Sequence, residues 1–350
     1  MWPQSRHRDV DGQGSATYCV DVADAYLKVQ FNSAGFYRKM FQSHNLYLRA
    51  GRRKPKLVTD KDGVARKTKK IVNVRQWILA TSLGVLMLAI GVRTASAEQW
   101  VRHTIDDSSQ GADGVRLKDV NGDGLLDIAV GWEEGGVVRV YLHPGREKVR
   151  QEWPAVTVGN VKSPEDAVFA DLDGDGAVDV VSSCEGRTRS MFVHWAPAKD
   201  ADYLKAEQWT TEAVPVTADR QMWMYALPMQ IDGQHGIDLI TGSKGKGGSV
   251  GWLQGPPNPR DMKSWRWHKL QDAGWIMSLI AADMDDDGDL DILVSDRKGA
   301  KRGVYWLEYP GADAATNGKS WKRHDVGGSN REILFVSLGD LDQDGNQDII

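Results

Sequence analysis

A chain of 350 residues with 44 Lys+Arg and 48 Asp+Glu carries a formal net charge of −4, and its length accommodates one large all-β domain or two ordinary ones. That sum conceals two unlike segments: residues 1–97 hold 17 basic and 6 acidic side chains, whereas residues 98–350 hold 27 and 42. The acidic segment is a poor surface for nucleic acid, because phosphates are neutralised by Lys and Arg. Only two cysteines occur, Cys19 and Cys184 on opposite sides of the charge break, so the acidic part has no disulfide framework of its own.

Residues 1–63 show no clear hydrophobic period and read as non-native upstream translation or a disordered stretch. Residues 64–97 read as a signal peptide. Arg66, Lys67, Lys69, Lys70 and Arg75 precede the uncharged run Trp77 to Val92, which leads to Ala95-Ser96-Ala97. A basic n-region, an apolar h-region and a small-residue site in that order direct export and predict cleavage after Ala97. Sixteen apolar residues fall short of the roughly 20 of a comfortable bilayer-crossing helix, so no membrane span is expected in the mature chain. The position of this segment predicts a true start inside the chain, with Val64 the best candidate, and a mature protein that is secreted or periplasmic.

From residue 98 onward one nine-residue pattern returns. It is Asp119-Val-Asn121-Gly-Asp123-Gly-Leu-Leu-Asp127, then Asp171-Leu-Asp173-Gly-Asp175-Gly-Ala-Val-Asp179, then Asp283-Met-Asp285-Asp-Asp287-Gly-Asp-Leu-Asp291 and Asp340-Leu-Asp342-Gln-Asp344-Gly-Asn-Gln-Asp348. A worn copy, Gln230-Ile-Asp232-Gly-Gln234-His-Gly-Ile-Asp238, stands third, and successive first positions are separated by 52, 59, 53 and 57 residues. The flanks recur as well. A tryptophan opens each unit (Trp100, Trp153, Trp209, Trp265 or Trp267, Trp321), an apolar strand follows each loop, and a second strand ends at Pro144, Pro197, Pro256 or Pro310. Short β-rich runs punctuated by Gly, Pro and Asp at this interval predict an all-β repeat protein, and 50 to 60 residues suffice for one four-stranded propeller blade. The expected units lie near 98–150, 151–206, 207–263, 264–318 and 319–350, the last incomplete. This amounts to about four and a half blades of a truncated ring.

Calcium takes six to eight oxygens, and alternate side chains at positions 1, 3 and 5 of a tight loop can converge on one centre. Glycine at position 6 permits the turn, position 7 offers a backbone carbonyl, and an Asp at position 9 closes the loop directly before a strand. The fourth loop crowds six carboxylates into nine residues. Two like charges about 4 Å apart repel by about 4 kcal/mol at an effective dielectric of 20, so such a loop opens without a cation.

These repeats resemble the FG-GAP (VCBS-type) repeats of integrin-like β-propellers, across roughly residues 98–350. The resemblance implies a β-propeller of four-stranded blades, seven when complete, with calcium held between two strands of most blades. Carried over by position, it implies as ligands Asp119, Asn121, Asp123 and Asp127; Asp171, Asp173, Asp175 and Asp179; Asp283, Asp285, Asp287 and Asp291; Asp340, Asp342, Asp344 and Asp348. The third loop departs from the pattern at Gln230, Gln234 and His235, which leaves Asp232 and Asp238 as weaker ligands.

No G-x-S-x-G, H-E-x-x-H, P-loop or dinucleotide fingerprint occurs, and Gly242 to Gly248 read as a hairpin turn. The leading expectation is therefore a non-catalytic binding or interaction module with a protein or polysaccharide ligand. The alternative is a carbohydrate-active enzyme, of polysaccharide lyase or sugar dehydratase type, on a calcium-loop propeller. His103, His194, His268 and His324 are scattered along the chain, and Cys184 reads as a small core residue. Most tryptophans read as packing between blades, and the less regular Trp223, Trp275 and Trp265/Trp267 pair are the better candidates for a surface. Non-repeated polar residues meeting on one face would separate the two readings.

Overall fold

The computed structural model describes residues 101–199 and 202–350, so the expectations for 1–63, the signal peptide, Cys19 and Trp100 lie outside the described residues. From His103 onward the described chain belongs to one unit. It is all-β, with four antiparallel four-stranded blades in a propeller arrangement. The first blade comprises β1 (Ala112–Lys118), β2 (Asp127–Trp132), β3 (Val137–Tyr141) and β4 (Ala155–Gly159). The second comprises β5 (Pro164–Ala170), β6 (Asp179–Cys184), β7 (Met191–Trp195) and β8 (Thr210–Ala213). The third comprises β9 (Met222–Met229), β10 (Asp238–Lys244), β11 (Ser249–Gln254) and β12 (Arg266–Asp272). The fourth comprises β13 (Ile276–Ala282), β14 (Asp291–Asp296), β15 (Gly303–Glu308) and β16 (Lys322–Gly327). A two-stranded ladder, β17 (Leu338–Gly339) with β18 (Asp348–Ile349), begins a fifth unit.

Sequential antiparallel pairing explains why the connections are short. Each nine-residue loop joins the first strand of a blade to the second, and the register sets Lys118 opposite Asp127, Ala170 opposite Asp179, Met229 opposite Asp238 and Ala282 opposite Asp291. The second strands, DIAVGW, DVVSSC and DILVSD, are buried at every residue. Alternation still operates in them, with both faces covered. Val180 and Cys184 face a cluster shared with the first blade (Val138, Phe169, Trp209), while Val181 faces one shared with the third (Trp195, Leu239, Trp265). The core is thus a series of apolar layers between blades, and a buried Leu or Val side chain contributes roughly 1.5–3 kcal/mol there.

The sequence units and the sheets are out of phase by one strand. Trp153, Trp209, Trp265 and Trp321 precede the outermost strand of a blade rather than opening the next one. All four are buried, and each indole N–H donates to a carbonyl upstream: Trp153 to Val149 O at 3.0 Å, and Trp209, Trp265 and Trp321 to Tyr203 O, Pro259 O and Ala315 O at 2.9 Å. Tryptophan serves this position because its apolar body fills the layer while its one donor closes the connection from the third strand. The surface expectation fails for Trp223 and Trp265, which are core residues; Trp223 Nε1 donates to Thr217 O at 3.1 Å. Trp267 and Trp275 are half-buried.

Candidate metal loops and an opposing charged cluster

The five loops share one backbone. Positions 4 and 6 both have positive φ: Gly122 and Gly124, Gly174 and Gly176, Gly233 and His235, Asp286 and Gly288, Gln343 and Gly345. Two left-handed residues, two positions apart, curl the chain so that backbone N–H groups turn toward the side chains of positions 1 and 3, as Gly122 N to Asp119 Oδ1 and Asp123 N to Asn121 Oδ1 in the first loop. In the four acidic loops position 1 accepts from the N–H of position 6, as Gly124 N to Asp119 Oδ2 at 2.8 Å and Gly288 N to Asp283 Oδ2 at 3.0 Å. The turn requirement at position 6 was legible in the sequence; that at position 4 was not, because Asp286 and Gln343 occupy it.

Position 9 does something the ligand pattern did not reveal. In the first loop Asp127 accepts from Val120 N at 2.9 Å and from His143 N at 2.8 Å, so one carboxylate ties the loop start to the end of the third strand. Asp179 repeats this with Leu172 N and Ala196 N, Asp238 with Ile231 N and Gly255 N, and Asp291 with Met284 N and Tyr309 N. These four carboxylates are buried. Burial, opposed by the backbone donors, pushes Asp179 up to about 7 and Asp238 up to about 6.

Within the loops, carboxylate oxygens lie within 4.8 Å of one another in the second, fourth and fifth: Asp171, Asp173 and Asp179; Asp283, Asp285 and Asp291; Asp340, Asp342 and Asp344. Asp175, Asp287 and Asp348 stand outside these groups. In the first loop Asp119, Asn121 and Asp123 are held by turn hydrogen bonds, Asn121 Nδ2 to Asp123 Oδ2 at 3.4 Å among them. Asp171 Oδ1 and Asp289 Oδ1 are buried without a hydrogen-bond partner. Such oxygens carry a desolvation cost that a cation offsets, and an all-oxygen donor set suits a hard divalent ion.

The third loop is arranged differently. Gln230 Nε2 donates to Gln234 O at 3.1 Å and to Gly236 O, the carbonyls of positions 5 and 7, while Gln230 Oε1 accepts from Asp232 N and Gly233 N. Asp232 Oδ2 accepts from Gln254 Nε2 at 2.5 Å. An amide N–H therefore meets the carbonyls of positions 5 and 7. The loop is closed by its own side chains.

At the opposite strand ends, residues outside the repeat pattern gather from the first three blades. Arg116 grips Asp166 through Nε and Nη2 at 2.8 and 3.0 Å, and its guanidinium lies 5.4 Å from the Tyr225 ring centroid. Lys244 Nζ pairs with Glu165 at 3.0 Å and with Glu185, and Glu133, Glu165 and Glu185 bring oxygens within 4.8 Å of one another. Burial first, then the Glu165 charge, pushes the nearby Asp113 carboxyl up to about 7. None of the four candidate histidines belongs to this cluster. His194 is buried, bonded to Ser182 Oγ and Thr211 Oγ1 at 2.9 Å, and burial pushes its imidazole down to about 3. His268 and His324 stack on their cross-strand partners Trp252 and Trp306 at 4.6 and 4.0 Å. Cys184 is buried and its thiol is pushed up to about 12, which removes it as a nucleophile.

Residues 119–182 match the family profile of the FG-GAP-like repeat. Among solved structures the chain is similar to the crystal structure of the V. cholerae biofilm matrix protein Bap1, at 15% identity and a TM-score of 0.34, over 71% of this chain and 36% of that one. This chain therefore spans well under half the length of that protein. No curated protein matches the chain. Residues 119–182 thus carry an FG-GAP-like repeat, and the described residues form four four-stranded blades in a propeller arrangement.

Proposed function

We propose that this chain is an exported, calcium-binding β-propeller that acts as a non-catalytic binding or interaction module for a protein or polysaccharide ligand. The observation that carries the calcium reading is the convergence of carboxylates in the second, fourth and fifth loops, with buried unpartnered oxygens at Asp171 and Asp289. The ligands are Asp119, Asn121, Asp123 and Asp127 and their counterparts in those loops, and the third loop is left to its own amide. Export rests on the segment ending at Ala97, and among the described residues no helix is long and apolar enough to cross a membrane. Calorimetric titration of the chain with calcium, after chelator treatment, tests the reading: several ions per chain are expected, and none bound would end it.

The cluster of Asp113, Arg116, Glu165, Asp166 and Lys244 favours a second reading, the carbohydrate-active enzyme. A carboxyl pushed up to about 7 by burial and by the neighbouring carboxylates of Glu165, Glu133 and Asp166 is suited to general acid–base chemistry. Lyase or hydrolase assays of wild type and Asp113→Asn on acidic and neutral polysaccharides decide it. Turnover lost in the variant supports catalysis, and binding without turnover supports the module.

A further inference from the structure

The second loop differs from the others in what lies across from it. Arg260, in the connection between β11 and β12 of the third blade, donates from Nε to Asp173 Oδ2 at 2.5 Å, and its Nη2 is 3.9 Å from Asp175 Oδ2. Asp173 and Asp175 are positions 3 and 5 of a loop that belongs to the second blade. The guanidinium lies 4.5 Å from the centroid of Trp195, whose own Nε1 donates to Glu212 at 2.8 Å. The segment that carries it, Pro256-Pro-Asn-Pro-Arg260, is stiff, and it is fastened by Trp265 Nε1 to Pro259 O and by Asp261 N to Asn258 O at 2.9 Å. Among the described residues no other basic side chain pairs with a loop carboxylate. Yet Asp171 Oδ1 of the same loop is buried and unpartnered, so the arginine satisfies the loop only in part.

Resting on the calcium reading above, we propose that Arg260 is a tethered cation that competes with the metal for the second loop, and couples filling of that loop to the contact between the second and third blades. A guanidinium and a divalent ion beside one carboxylate repel each other, so metal entry weakens the Arg260–Asp173 pair. Arginine suits this role because its planar fork holds a carboxylate without ever losing its charge. The second loop therefore fills at higher calcium than the first, fourth and fifth, and its filling releases Arg260 from Asp173 while Trp195 remains nearby.

Terbium titration followed by tryptophan-sensitised luminescence tests this, with Trp195→Phe identifying the component that reports the second loop. Arg260→Gln is expected to lower the midpoint of that component at least about tenfold and leave the other components unchanged, with Arg260→Lys, which keeps the charge but not the fork, in between. In thermal unfolding Arg260→Gln should melt below wild type in chelator and show the larger rise when calcium is added. An unchanged or raised midpoint in Arg260→Gln would overturn the proposal, because it would make Arg260 a positioning residue that holds Asp173 for the metal. Absence of any terbium component in either protein would remove the calcium reading itself, whereas components at the other loops with an unshifted Trp195-dependent one would remove this inference alone.

Discussion

The second and third loops are one blade apart, share a backbone and share the buried position-9 carboxylate, but they neutralise their interiors by different means. The second gathers Asp171, Asp173 and Asp179, with Arg260 reaching in from the next blade. The third has exchanged two carboxylates for Gln230 and Gln234 and points an amide at its own carbonyls. The comparison separates two tasks that the sequence motif merges. Asp238 persists where two of the ligand positions are gone, because it ties Ile231 N and Gly255 N together whether or not an ion is present.

If the loops hold calcium as proposed, its removal should separate the two loops most widely. Each site occupied at a thousandfold over its Kd adds about 4 kcal/mol to stability, so thermal unfolding should fall steeply in chelator. Hydrogen exchange should show loosening at the second, fourth and fifth loops, and the third loop should hold its protection. If the third loop loosens equally, the distinction fails.

Next in size are the position-9 residues. Asp238→Ala and Asp127→Ala each leave two buried backbone donors unmade, at about 1–3 kcal/mol per donor. Denaturant unfolding in chelator should therefore show similar losses for both; a neutral Asp238→Ala would return position 9 to a purely metal role. The double change Gln230→Asp with Gln234→Asp should add one calcium per chain by calorimetry, at a loss of about 2 kcal/mol in chelator as the amide's hydrogen bonds disappear.

A separate effect, outside the two loops, is set by pH at His194. Its folded pKa of about 3 lies below the unfolded value near 6.5, so no penalty exists above that value. On acidification the unfolded chain takes up a proton that the native imidazole refuses, and stability falls by about 1.4 kcal/mol per pH unit toward the lower value. His194→Gln should flatten that part of the stability–pH curve, measured in chelator. The smallest change is His235→Gly, which relieves a left-handed residue with φ of 59° and should stabilise by about 1 kcal/mol, while Gly124→Ala should do the reverse.

Much of the fold was legible because a blade cannot bury its faces alone, so the same strand and turn residues return at each interval. The phase of the blades was not legible. A tryptophan placed regularly before each loop reads equally well as the start of one unit or the end of the last, and only hydrogen bonding assigns Ala155–Gly159 to the sheet of Val137–Tyr141. The burial of Trp223 in one cluster with Trp195 and Leu239 was not legible, because Trp223 lies outside the regular tryptophan spacing. Arg260 carried no signal at all, lying 87 residues from Asp173 in a proline-rich connection.

The repeat, the strands and the acidic loop positions can be read from the residues alone, since they follow from local spacing, the need for positive φ and the alternation of apolar residues. Which side chains from different blades meet is set by the packing of the sheets. Arg260 reaches Asp173, Lys244 reaches Glu165 and Glu185, and Arg116 reaches Asp166, because stacking brings together residues 50 to 87 positions apart. No local pattern encodes such distances; they are fixed by how each twisted sheet packs on the next.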